Sequence, residues 1–174
     1  MLPYLLTFYR LVIGLAFALS FVGKVRDVGQ FTETIRKFDL LPRRWAGPAA
    51  LLFLGGEAAV VALLILGGRL LPLAFGLATL LLVLFTLALL SALRRGLETS
   101  CHCFGASEKP LTYYDVGRNA GFILLAATGL GMAGATNAMP SLAFIEHLFI
   151  FIIAAVFVLL WTNLREIAAL LQAA

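Results

Sequence analysis

Apolar residues fall in five long runs separated by short polar or charged connections, and each run is close to the roughly 20 residues that a helix needs to cross a bilayer. The runs lie near Leu5–Val22, Ala46–Leu66, Leu70–Leu93, Val116–Ala133 and Leu142–Trp161. Backbone amides have no water to bond in hydrocarbon, so these stretches predict helices rather than an open sheet. The fold class is therefore all-α, a polytopic membrane bundle in a single domain spanning residues 1–174. The first run begins almost at Met1, with neither a basic leader nor a small-residue cleavage site, and reads as a retained helix.

The connections carry their own patterns. In the first, Val28, Phe31, Ile35 and Phe38 recur at three- and four-residue spacing, with Gln30, Glu33, Arg36 and Lys37 between them. That spacing predicts an amphipathic helix over residues 28–38, lying at the interface or packed on the bundle, and ended by Leu40-Leu41-Pro42. Gly67-Gly68 predicts a tight turn that makes the second and third spans an antiparallel hairpin. Residues 131–140 form an uncharged turn-rich connection, with Ser141 the expected N-cap of the last helix.

A hydrophobic content of 62%, a charged content of 13% and mean hydropathy of +1.02 exclude an ordinary soluble domain. The net charge of +4 could be read as a nucleic-acid footprint, but the placement of the cations argues otherwise. Lys24, Arg26, Arg36, Lys37, Arg43 and Arg44 fill the first connection. Arg94, Arg95 and Lys109 flank the third, Arg165 follows the last span, and the even-numbered connections carry only Arg69. That alternation is the positive-inside pattern. It predicts an inner-membrane protein with its N-terminus outside and its first and third connections and C-terminus in the cytoplasm, touching lipid and no nucleic acid.

Several ionisable residues lie where they should be costly. Arg10 is two turns into the first span and Glu57 is near the middle of the second. Intramembrane charges usually face the bundle and pair with one another, so an Arg10–Glu57 pair is one expectation, although their depths match only roughly. Such a carboxylate reads either as half of a structural ion pair or as a proton-handling group. Arg118-Asn119 opens the fourth span, with the Arg118 guanidinium either snorkelling to the interface or facing the preceding loop. Glu146-His147 reads as interfacial.

The chemistry-bearing stretch is Cys101-His102-Cys103-Phe104-Gly105, in the polar loop over about residues 94–112. It holds both cysteines of the chain, one residue apart. A two-residue offset reaches disulfide geometry only with a local bend, and a strained bond of that kind is readily reduced. So short a loop removes almost no chain entropy, which makes it a poor staple. The cations Arg94, Arg95 and Arg118 on either side, with His102 between the sulfurs, favour thiolate, the attacking form. Three readings compete: inert structural thiols, a metal site using Cys101, His102 and Cys103, and a redox-cycling pair. Zinc normally takes four ligands, and the chain offers few further donors. Redox cycling explains the pair best, with no bound cofactor expected and no readable motif for a quinone. A cytosolic loop would rest as the dithiol.

These residues resemble those of the MauE/DoxX group of redox-associated membrane proteins. The likeness runs from Arg10, Gly14, Phe21, Lys24 and Phe31 to Leu41-Pro42, then through Glu57 to Cys-x-Cys-Phe-Gly at 101–105 and Arg118-Asn119. The resemblance implies a DoxX-like four-helix core with one added helix. It also implies disulfide chemistry that supports maturation of exported proteins, with a thioredoxin-fold partner. In the family's namesake system the client is the disulfide-rich small subunit of methylamine dehydrogenase. Carried over by the resemblance, Cys101 and Cys103 are the redox residues, and Arg10, Lys24, Glu57, Arg118 and Asn119 are family-pattern residues without an assigned role. The alternative from a different class is a non-enzymatic scaffold or accessory subunit of a larger membrane complex, using Gly14, Gly55, Gly56, Gly76 and Gly121 for close helix contacts with other membrane subunits.

Overall fold

A computed structural model describes residues 1–40, 42–97, 111–135 and 143–164. These residues form six α-helices and no strand: α1 Leu2–Val25, α2 Val28–Lys37, α3 Ala46–Leu66, α4 Leu71–Arg94, α5 Tyr113–Ala135 and α6 Phe144–Thr162. All except α2 are long and apolar enough to cross a membrane. The chain is thus an all-helical, multi-pass membrane protein.

Local signals set the boundaries. Pro3 and Pro72 sit in the first turns of α1 and α4, where a missing N–H costs nothing. Asp27 caps α2 by accepting from the Gln30 N–H at 2.8 Å. Gly67 and Gly68, at φ +67° and +58°, make the left-handed turn that reverses the chain between α3 and α4. At the far end of α4, Gly96 adopts φ +64° and the Leu97 N–H bonds back to the Ala92 carbonyl at 3.1 Å, a Schellman closure. α5 starts with Asp115 accepting from both the N–H and the hydroxyl of Thr112. α6 is capped at Ala143, whose N–H donates to Glu146 Oε2 at 2.8 Å. Ser141, expected to cap that helix, lies outside the described residues. Glu146 supplies an acceptor from inside the first turn.

Cross-helix pairs fix the arrangement. Arg10 early in α1 meets Leu64 and Ile65 late in α3, and Phe53 early in α3 meets Phe85 late in α4. Phe75 early in α4 lies against Gly129 late in α5. These three pairs make each helix antiparallel to its neighbour. Tyr4 donates to Glu146 at 2.7 Å, which sets α6 parallel to α1 at their starts. The core runs through Val12, Ile13 and Phe17 of α1, Val60 and Leu64 of α3, Phe75 and Ala78 of α4, and Phe122 and Ala126 of α5. α6 adds Ile150, Ala154 and Val158 and leaves most of its apolar surface exposed, as a lipid-facing helix does.

The amphipathic helix α2 packs on the bundle. Phe31 is buried against Ala50 and Leu54 of α3, with Phe21, Val28, Ile35 and Phe53 around it. Phe38 joins Leu89, Ala92 and Leu111 in a second small cluster. The polar face of α2 stays outside, where Glu33 and Arg36 pair across one turn. The end of α1, all of α2, the start of α3, the end of α4 and the start of α5 share one end of the bundle. Arg26, Arg36, Lys37, Arg43, Arg44, Arg94 and Arg95 are all exposed there.

Candidate functional site

The core-facing stripe of α1 reads Ile13, Phe17, Ser20, Lys24, one residue per turn. The last two are polar, and both are buried. The buried stripe of α3 reads Ala50, Leu54, Glu57, Val60, Leu64, and that of α5 begins with Asn119 and continues through Phe122 and Ala126. Each of the three helices therefore turns a polar residue inward near the same end of the bundle.

They meet. Lys24 Nζ forms a salt bridge with Glu57 Oε1, with both side chains almost wholly buried. The same ammonium donates to Ser20 Oγ at 2.8 Å, and Ser20 donates to Glu57 Oε1 at 3.0 Å. The rings of Phe31, Phe53 and Phe85 surround Lys24 Nζ at 5.2, 4.9 and 5.3 Å from their centroids, one ring from each of α2, α3 and α4. Cation–π attraction in a desolvated setting is worth about 2 kcal/mol or more, so the cage offsets part of the burial of the ammonium. Beside the pair lies a cavity of about 30 Å³, lined by Ile13, Ser20, Glu57, Leu81, Asn119 and Phe122 among others. Glu57 Oε2 and Asn119 Nδ2 are buried and make no hydrogen bond among the described residues.

Arg10 does something else. Its Nε donates to the Leu64 carbonyl at 2.6 Å and Nη2 to the Ile65 carbonyl at 2.9 Å. It thus satisfies two carbonyls that the end of α3 leaves open and places a cation at the negative pole of that helix. Gly67 lets the guanidinium approach, since a Cβ there would fall 2.8 Å from Nη2. The expected Arg10–Glu57 pair is therefore corrected. Arg10 reaches the far end of α3, and Glu57, deeper by two turns, takes Lys24. Antiparallel packing sets these depths: a residue early in α1 can reach only residues late in α3.

Arg118 pairs with Asp115 one turn earlier at 3.3 Å, and its backbone carbonyl accepts from Trp161 Nε1 at 3.1 Å. Arg95 Nη1 donates to the Asp39 carbonyl at 3.3 Å, tying the end of α4 to the end of α2. Cys101, His102 and Cys103, with Lys109 and Arg165, lie outside the described residues. What is described are the two feet of their loop: Leu97, closed by the α4 cap, and Leu111, buried with Phe38, Leu89 and Ala92. Both feet are at the end of the bundle that holds the Lys24–Glu57 cluster.

Lys24 and Glu57 were both legible as individual residues, but their pairing was not. Lys24 also reads as one more topology cation. The signal that separates it from Arg26 is that it continues the Ile13–Phe17–Ser20 stripe.

A multi-pass helical membrane protein with an ion pair locked between its first and third helices is the class that this arrangement defines. The chain belongs to the MauE family: the family model for methylamine utilisation protein MauE matches residues 2–132. That span includes α1 to α4, the cysteine loop and nearly all of α5. The chain is also similar to methylamine utilization protein MauE of Paracoccus denitrificans, at 30% identity over 141 residues, covering 80% of this chain and 74% of that one. No solved structure matches it.

Proposed function

We propose that this protein is a membrane thiol–disulfide oxidoreductase, cycling Cys101 and Cys103 to support disulfide formation or maturation of exported proteins. The observation that carries the reading is the Cys-x-Cys pair itself. It stands inside the stretch matched by the family, on a loop whose two feet at Leu97 and Leu111 are held close by Phe38, Leu89 and Ala92.

The step is thiol–disulfide exchange. One cysteine thiolate attacks a partner's disulfide and forms a mixed disulfide, and the displaced partner thiolate takes up a proton. The second cysteine, losing its proton, then attacks the mixed disulfide, leaving Cys101–Cys103 oxidised and the partner reduced. The reverse sequence oxidises the partner. A thioredoxin-fold protein is the partner class that fits thiol–disulfide exchange with a neighbouring cysteine pair. Clustering of seven exposed cations at this end supports an inner-membrane orientation with the loop and the C-terminus cytoplasmic and the N-terminus outside. Methylamine utilisation, the role in the name of the Paracoccus denitrificans relative, is the system in which to look for a client.

Replacing one cysteine stalls the cycle at the mixed disulfide. Cys101→Ser and Cys103→Ser variants, expressed singly and acid-quenched, are expected to differ: one accumulates a covalent adduct released by reductant, and the other does not. The double variant should yield none while reaching normal membrane abundance. If neither single variant forms an adduct and the double variant sustains full activity of the parent system, the protein is a scaffold and the redox reading fails.

A further inference from the structure

The cluster at Lys24 is more than a fastening between helices. A buried ion pair that serves only to hold helices together is most stable when hydrogen bonds satisfy its remaining lone pairs and protons. Here Glu57 gives Oε1 to both Lys24 and Ser20 and leaves Oε2 bare. Asn119, only 2% exposed and on a different helix, leaves Nδ2 bare beside the same cavity. If dry, each orphaned group would carry an uncompensated desolvation cost. A cavity of about 30 Å³ admits a water, which needs roughly 10–15 Å³ and two or more polar partners. An acceptor from α3 and a donor from α5, both lining this cavity, meet that need.

We propose that Ser20, Lys24, Glu57 and Asn119 form a hydrated proton-binding site within the bundle. A water between Glu57 Oε2 and Asn119 Nδ2 carries the proton. It arrives as hydronium and is passed to Oε2, giving a neutral carboxylic acid and leaving water behind. Lys24 stays an ammonium throughout, held by Ser20 and the three rings. The site gains one positive charge on loading and loses it on release. Lys24 is the charged group that faces Glu57. The other walls contribute Asn119 and Phe122 from α5, Leu81, Leu82 and Phe85 from α4, and Phe31 from α2 over the ammonium, none of which titrates. The single free carboxylate oxygen is therefore where a proton can bind. The site lies toward the cationic end, where Lys24 occupies the last turn of α1 and the Phe31 ring of α2 packs on its ammonium.

Infrared difference spectra of the full chain in lipid nanodiscs, recorded across a pH titration, test this without using the cysteines. The expected result is a carboxylic-acid carbonyl band that grows as pH falls, shifts in heavy water, and is lost in Glu57→Gln. Asn119→Leu, which removes the water's second partner but keeps the bulk, is expected to retain the band and shift its midpoint and frequency. A wild-type spectrum without a titrating carboxylic-acid band, or a band unchanged in both variants, overturns the proposal. Should Glu57→Gln fail to fold, Asn119→Leu decides alone. The same band is expected in the Cys101→Ser, Cys103→Ser double variant, so this site and the redox reading fail independently.

Discussion

Lys24→Ala and Glu57→Ala are each expected to destabilise the purified protein by about 3–5 kcal/mol, because either change leaves one buried charge without its partner. The two losses should not add. Removing both charges together, as in Lys24→Met with Glu57→Leu, leaves no unpaired ion and keeps the volume, so most of the stability should return. The aromatic cage strengthens the contrast. Phe31, Phe53 and Phe85 pack on an ammonium in the native protein, and they pack equally well on a methionine, but not on the gap left by alanine. Denaturant unfolding in detergent, followed by helical signal, measures the cycle. Single variants within about 0.5 kcal/mol of wild type, the usual range for surface changes, would mean that the pair is solvated and not a structural element. A double variant weaker than either single would mean that the charges serve the fold beyond their mutual attraction.

Gly129→Ala is expected to cost about 1–3 kcal/mol, the range for overpacking a well-filled core. A Cβ at Gly129 would fall 2.6 Å from Phe75 Cε1 and 2.8 Å from Cζ. Phe75 is fully buried, so its ring has no open side to swing into, and α4 and α5 would have to part. In a membrane this close approach matters more than it would in water, because lipid supplies no hydrophobic drive to close the gap and packing itself holds the helices together. Gly131, two residues on, is the matched control, since a Cβ there meets nothing within 4 Å. Gly131→Ala should be near neutral. The same unfolding assay reads both, and equal effects from the two substitutions would refute the packing of α4 on α5.

The spans and α2 were legible because their signals are local. Hydropathy over 20 residues finds a membrane helix, three- and four-residue spacing finds the buried face of α2, and Gly67-Gly68 announces its own turn. The partner of Glu57 was not legible, because it depends on the relative depth of two antiparallel helices joined through α2. No run of sequence encodes that depth. Arg10 was the natural candidate as the other cation inside a span, yet its reach is toward the end of α3. There, open carbonyls and a helix dipole answer a guanidinium as well as a carboxylate would. The stripe Ile13–Phe17–Ser20–Lys24 held the better clue, since a polar residue that continues a buried stripe must find its partner inside. At the start of α6 the acceptor comes from the third residue of the helix, Glu146, which takes the Ala143 N–H.

Arg10 and Lys24 divide the labour of holding α1 to α3. One secures the far end through backbone carbonyls, and the other, with Ser20, secures the near end through a side-chain carboxylate.

The redox state of Cys101 and Cys103 in living cells decides whether the pair cycles. Cells are acid-quenched, and free thiols are labelled with a mass-adding alkylator, with and without prior reductant. A cycling pair on a cytoplasmic loop is expected to rest mainly as the dithiol, to convert to the disulfide when the culture is pulsed with a thiol oxidant, and to return after washout. Thiols that label fully and unchangingly under every condition, or resist labelling even after reduction, would contradict cycling.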